Sequence, residues 1–152
     1  MTLAHKTTLF NQCKTLLETR MAELEKAMTD AQESANSEDK SSAGDKYETG
    51  RAMSQIARDM SAKQLFQAKT DYKELVQLSP LQTHVIAQKG SLVYLSNGQI
   101  VFIATGIGLV DALAHKVAVV SVKSPIALQL MGKQKGDEII IAQKKVNITA
   151  VV

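Results

Sequence analysis

Residues 3–35 read LAHKTTLFNQCKTLLETRMAELEKAMTDAQESA, and the spacing of apolar residues in this stretch decides the fold of the N-terminal half. Leu3, Phe10, Leu17, Leu24 and Ala31 recur every seven residues. Met21, Met28 and Ala35 form a second row of the same period that interleaves with the first. Two such rows make an apolar seam along one side of a helix, and a seam of that kind is buried by packing on a partner helix. Ala, Leu, Met, Glu and Lys dominate the stretch, and all of them favour helix.

The pattern then stops. Ser34 to Gly44 reads SANSEDKSSAG, a cluster of small and polar residues that predicts a turn. Apolar residues resume at Met53, Ile56 and Met60, then at Leu65, Ala68, Tyr72 and Leu75, a second helical seam with a slip near Ser61 to Gln64. The first 79 residues contain no proline, and Gly44 and Gly50 are their only glycines. Residues 1–78 are therefore expected to form an antiparallel coiled-coil hairpin with its tip at about residues 34–46. Two helices of about 30 residues each make an arm roughly 45 Å long.

Leu78-Ser79-Pro80 ends the second helix, because a proline disfavours helical backbone at the residue before it. Beyond it the texture is that of strands. Val85–Ala87, Ser91–Leu95, Gln99–Ala104 and Val117–Val122 are short, rich in Val and Ile, and bounded by Gly or Asn. Glu138–Ala142 and Val146–Val152 read as a last pair around Lys144-Lys145. Ser96-Asn97-Gly98 is a hairpin-turn signal. One short helix is expected from Pro125 to Met131, capped by Ser124 and ended by Gly132. Residues 79–152 thus predict a small antiparallel β-rich domain, and the whole chain an α+β protein.

The chain has 152 residues, 45% of them hydrophobic but only 4% aromatic, which implies an aliphatic core and does not imply a groove paved with aromatic rings. Cys13 is the single cysteine, which rules out an internal disulfide framework. No apolar run is long enough to span a membrane, and residues 1–10 lack the pattern of a signal peptide, so a cytoplasmic location is expected. Residues 1–78 hold 11 Lys/Arg and 12 Asp/Glu, whereas residues 79–152 hold 7 and 3. That basic excess suits nucleic acid or an acidic protein as readily as it suits plain solvation. His5, His84 and His115 have no metal-ligand spacing. His5 lies eight residues from Cys13, too far along a helix for a nucleophilic pair. Gly106-Ile107-Gly108 is read as a loop between strands, and the methionines at helical spacing as core filler.

Ser124-Pro125-Ile126-Ala127, Leu130-Met131-Gly132-Lys133 and Lys135-Gly136-Asp137-Glu138-Ile139 together carry a resemblance. This segment is similar to the one near the C-terminus of the Gre family of bacterial transcription elongation factors, and the order of helical hairpin and β-rich domain agrees over nearly the whole chain. The resemblance implies an FKBP-like C-terminal domain that docks on RNA polymerase through Ser124, Pro125, Gly132, Lys133, Gly136, Asp137 and Glu138. It implies a cytoplasmic, monomeric accessory factor, not an enzyme in its own right, working at DNA-bound transcription complexes. The hairpin would enter the secondary channel, meet nascent RNA, and help hold a Mg²⁺ ion shared with the polymerase active site, which itself hydrolyses backtracked RNA. No cofactor is expected on the isolated chain. The chemistry is consistent, because Mg²⁺ needs only one or two carboxylates when substrate phosphates complete its shell.

The tip departs from the family. Gre factors carry an aspartate and a glutamate three residues apart, closely followed by a tyrosine. Aligning that tyrosine with Tyr47 puts Lys40 and Ala43 at the acidic positions, and neither binds a cation. The nearby carboxylates are Glu38, Asp39, Asp45 and Glu48. Asp45 and Glu48 share a face if helix has begun, and are the candidate Mg²⁺ ligands; their other reading is first-turn chemistry at a helix N-terminus. Lys46, Arg51 and Arg58 are candidate nucleic-acid contacts or a solvated helix face. The leading function is stimulation of RNA cleavage, and the alternative is a non-cleaving inhibitor or modulator at the same channel. A peptidyl-prolyl isomerase is disfavoured because the C-terminal half offers only Tyr94 and Phe102 as aromatics. A generic coiled-coil interaction protein is the remaining class.

Overall fold

The computed structural model of the chain describes residues 3–39 and 45–152, with side chains over 3–37 and 49–152. Two long helices, α1 (Leu3–Asp39) and α2 (Asp45–Val76), precede six strands and one short helix. These form two compact units: Leu16–Tyr72 is one, and Met1–Thr15 with Lys73–Val152 is the other.

Within Leu16–Tyr72 the helices run antiparallel. Tyr72 Oη donates to Glu18 Oε1 at 3.3 Å, and Lys69 Nζ lies 3.8 Å from Glu25 Oε1, so the partner of a later α1 residue is an earlier α2 residue. The α1 seam follows the sequence pattern. Leu17 and Ala35 are buried, and Met21, Leu24, Met28 and Ala31 are half-buried. Ser34 to Asp39, expected in the turn, continue α1 instead. Ser and Asn lose only tenths of a kcal/mol in a helix, and the burial of Ala35, together with the Gln32–Asn36 side-chain hydrogen bond, carries the helix onward.

The α2 seam corrects the sequence reading. Leu65 and Ala68 are buried and Tyr72 is half-buried, as expected, but Met53, Ile56 and Met60 are exposed at 66%, 59% and 59%. A seam stays in phase by steps of three and four residues. Stepping back from Leu65 in that way lands on Ser61, Arg58 and Ser54, which are half-buried, as are Gln55 and Ala62.

In the other unit, β1 (Leu92–Leu95), β2 (Ile100–Ile103), β3 (Gly108–Ala112), β4 (His115–Val120), β5 (Glu138–Ile141) and β6 (Lys144–Val151) form one sheet of order β3-β4-β2-β1-β6-β5. Every pairing is antiparallel except β2 with β4, which is parallel. β3 was not anticipated as a strand; it pairs with β4 along its whole length, which sets β4 beside β2 in the same direction. Val85–Ala87 is not a strand. Val85 and Ile86 are exposed, and Ile86 makes only an isolated bridge to Gln134. The last hairpin turns at Ala142-Gln143, with Lys144 and Lys145 already in β6.

α3 (Pro125–Leu130) sits where expected. The Ser124 side chain accepts from the Ala127 amide at 3.2 Å and donates to the Ser121 carbonyl at 2.8 Å. Ala127 and Leu130 of α3 join Val93, Leu95, Val101, Ile103, Ile139, Val146 and Ile148 in one apolar core. β2 is buried at all four residues, so both sheet faces are covered at its centre. Leu9, Phe10, Cys13 and Leu75, at the helix roots of the same unit, are buried as well.

Candidate functional site

Most residues that carry the family resemblance do local structural work. Ser124 caps α3, Pro125 occupies its first turn, and Gly132, with φ of 84°, lets the chain leave it. The Gly132 amide donates to the Ala87 carbonyl at 2.8 Å, and the Lys133 carbonyl accepts from the Ala87 amide at 2.7 Å. Asp137 Oδ2 accepts from the Gln134 amide at 2.9 Å and closes the turn that contains Gly136. The Gly136 amide and the Asp137 carbonyl are both bonded to Ile148, so this turn is stitched to β6. Glu138 is exposed and pairs in register with Asn147.

This framework offers several large apolar side chains to solvent, interspersed with the exposed Gln129, Gln134, Lys135 and Glu138. Leu128 is 67% exposed on α3, Ile140 is 56% exposed on β5, and Met131 and Ile86 are exposed beside them in the chain path just described. Gln129 Oε1 accepts from the Ile140 amide at 3.0 Å, which ties α3 to the outer edge of β5. Sequence reasoning named Met131 only as part of the matched segment and did not single out Leu128 or Ile140. The signal was there: in a helix that buries Ala127 and Leu130, Leu128 and Met131 fall on the outer side.

The hairpin-tip candidates fare differently. Lys40 and Ala43 lie outside the described residues, as do the side chains of Glu38, Asp39, Asp45, Lys46 and Glu48. The α2 backbone is helical from Asp45, which sets Asp45 and Glu48 one turn apart along it. Two carboxylates at that spacing are hard oxygen donors of the type Mg²⁺ prefers. Arg51 is exposed, and Arg58 is half-buried with its Nη1 3.3 Å from Asp59 Oδ1. Among the described residues no group of three or more His, Cys, Asp or Glu side chains could hold a metal ion. No described helix is long and apolar enough to cross a membrane.

A polar cluster lies at the root of α1. The Lys6 ammonium, in a residue only 1% exposed, donates to the carbonyls of Gln82 at 2.6 Å and Val152 at 3.1 Å. It also lies 3.5 Å from His84 Nδ1. Ser91 Oγ, which accepts from the Gln88 amide, is 2.9 Å from the same ring nitrogen. Burial pushes Lys6 down to about 8. Burial, then the charge of Lys6, lowers His84. Burial pushes the Cys13 thiol up to about 11, so it stays protonated and is no nucleophile at neutral pH. Gly106-Ile107-Gly108 leads directly into β3, not into a helix, which removes the dinucleotide-loop reading.

No protein-family model matches the chain, and no curated protein matches it. Among solved structures it is similar to one described as the structure of the transcription factor Gfh1, with 18% identity over 93% of this chain and 92% of that chain and a TM-score of 0.33. A likeness of that size carries no argument, and the α+β fold described above stands on the chain's own pairing and packing.

Proposed function

We propose that this protein is a Gre-like accessory regulator of RNA polymerase, which docks through the α3–β5 region of its sheet-containing unit and brings the hairpin tip to the secondary channel. The observation that carries the reading is the segment Ser124–Ile139. It resembles the Gre segment in residue type and spacing, and it folds as a capped helix and a closed turn presenting Leu128, Met131 and Glu138 outward, with Ile140 exposed just beyond it on β5. An exposed apolar patch with a polar border is the usual character of a protein-docking surface. In this reading RNA hydrolysis belongs to the polymerase, and a Mg²⁺ ion shared with it would take Asp45 and Glu48 as ligands and stabilise charge on phosphate oxygens.

A second reading, a non-cleaving channel inhibitor, is favoured by Lys40 and Ala43 at the family's acidic positions. One experiment separates them. A backtracked elongation complex is given the wild-type chain or Asp45→Ala/Glu48→Ala. The full chain is used because the compact unit that holds Ser124–Ile139 also includes Met1–Thr15. Cleavage by the wild type that the double variant loses, with binding retained, supports the first reading. Slowed nucleotide addition without transcript shortening supports the second. No retention of bacterial polymerase by the wild type defeats both.

A further inference from the structure

β5 ends the sheet: in the order β3-β4-β2-β1-β6-β5 it has a strand on one side only. Antiparallel pairing alternates the direction of backbone groups along a strand, so residues two apart share a direction. The Ile140 amide donates to Gln129 Oε1 at 3.0 Å and so points away from β6. The backbone groups of Glu138 share that direction. Along this outer edge the sequence is one glutamate followed by three isoleucines. A short β-branched run without proline or interior charge is suited to adding onto another strand. The opposite edge, β3, differs: it begins at Gly108 and carries the exposed Asp111 within it. The acceptor on the β5 edge comes from α3. Ala127 and Leu130 lie in the core and lay that helix over one face of the sheet. Gln129, exposed between Leu128 and Leu130, reaches from there to the strand. Its carboxamide oxygen takes the hydrogen bond that a carbonyl of a neighbouring strand would take.

We infer that Gln129 seals the β5 edge against a second copy of this chain, by holding the Ile140 amide that edge-to-edge pairing would use. The strand's own pattern selects a second copy as the occupant. In an antiparallel β5–β5 pair about a twofold axis at Ile139, Glu138 of one copy faces Ile140 of the other. Both residues turn N–H and C=O outward, so each outward group finds its complement across the axis. Such a contact is isologous and closes at two copies. It needs the Ile140 amide of both copies, and Gln129 occupies that amide in each. The seal is an exposed hydrogen bond between neutral groups, modest in strength. Removing it therefore frees the edge without dismantling the core beneath α3. This inference does not depend on the polymerase reading.

The test compares the full-length wild type with Gln129→Ala, Gln129→Glu and Gln129→Ala/Ile140→Lys. Gln129 and Ile140 are both exposed, and alanine favours helix, so the fold is retained. Sedimentation velocity follows the mass from dilute to concentrated protein, and NMR follows exchange of the Ile140 amide. Wild type is expected to stay monomeric. In dilute solution Gln129→Ala should exchange the Ile140 amide about fivefold faster, the effect of losing one neutral hydrogen bond. As its concentration rises it should approach twice the monomer mass, with Ile140 protected again. Gln129→Glu keeps an acceptor and adds like charges across the axis, so it should remain monomeric with Ile140 protected. Ile140→Lys puts a charge on the edge strand and should return the alanine variant to monomer. Should that double variant not fold, the contrast between alanine and glutamate at position 129 carries the test. Gln129→Ala that stays monomeric at every concentration overturns the proposal. So does wild type that dimerises as readily, or an alanine-variant dimer that Ile140→Lys leaves intact, since association would then run through another surface.

Discussion

Replacing Lys6 with methionine tests whether the root of α1 is fastened by a buried charge. The ammonium donates to two backbone carbonyls, at 2.6 and 3.1 Å, in a residue that is 1% exposed. Hydrogen bonds from a charged donor contribute about 1.5–3 kcal/mol each. Against them, lowering the group from 10.5 to about 8 costs about 3 kcal/mol at neutral pH. These terms largely offset each other, so the size of the loss at pH 7 decides little. The pH dependence decides more. Between pH 8 and 10.5 the unfolded chain holds a proton that the folded chain has released, so stability rises with pH through that window. From pH 7 to pH 9 the rise from this one group is about 1.3 kcal/mol. Methionine has no such proton, so the advantage of wild type over Lys6→Met should widen by that amount, roughly a tenfold gain in relative protection. The raised Cys13 thiol works the other way above pH 9, where the unfolded chain loses a proton the folded chain keeps. That effect is common to both proteins and cancels. The assay is amide hydrogen exchange at Leu92 and Val152, whose amides are paired with each other's carbonyls at 3.0 and 2.9 Å, with both proteins measured at pH 7 and pH 9. A stability gap that is the same at both pH values refutes the reasoning.

The remaining predictions concern the same unit. His84 is held below its ordinary value by burial and by Lys6, so on acidification below pH 6.5 the unfolded chain takes up a proton first and stability falls; His84→Gln should flatten the acid limb of a urea-midpoint series between pH 7 and pH 5. Gln143 sits at φ of 66° in the two-residue β5–β6 turn, with Ala142 beside it at 49°. Gln143→Gly should therefore stabilise the protein by about 1 kcal/mol in thermal unfolding, because glycine carries no penalty there. Ser124→Ala should cost about 1 kcal/mol of stability through loss of the α3 cap, and Ser124→Asp, which still accepts from the Ala127 amide, should recover most of it.

Legibility in the sequence tracked one physical distinction, between residues whose chemistry forces a local shape and residues whose place is set by partners. The α1 seam and α3 were readable because seven-residue rows, a serine cap, a proline and a glycine each act within a turn or two of themselves. The outer arm of α2 was misread because apolar residues were followed, whereas the seam follows the phase set by Leu65 and Ala68. β3 went unseen because its five residues bury only Val110 and Ala112, and its turn to β4 is Leu113-Ala114, which lacks the glycine or asparagine that marks such turns. With β3 unseen, the parallel β2–β4 pair could not be anticipated. Val85–Ala87 misled in the opposite sense: it is apolar, yet only Ala87 is buried, and Ala87 hydrogen-bonds to Gly132 and Lys133.

The same distinction bears on what the resemblance means. Ser124, Gly132, Gly136 and Asp137 are spent on a cap, a helix exit and a closed turn. A match built on such residues speaks first for a shape, and a shape alone binds nothing. The exposed side chains that a partner would meet here include Leu128, Met131 and Ile140 together with Gln129, Gln134, Lys135 and Glu138. Burying an apolar side chain of that size on a partner is worth about 1.5–3 kcal/mol. If docking runs through this region, its energy therefore resides in Met131, within the matched set, and in Leu128 and Ile140, outside it. The match would then locate the docking surface by its frame, while the contacts that set affinity are read from exposure.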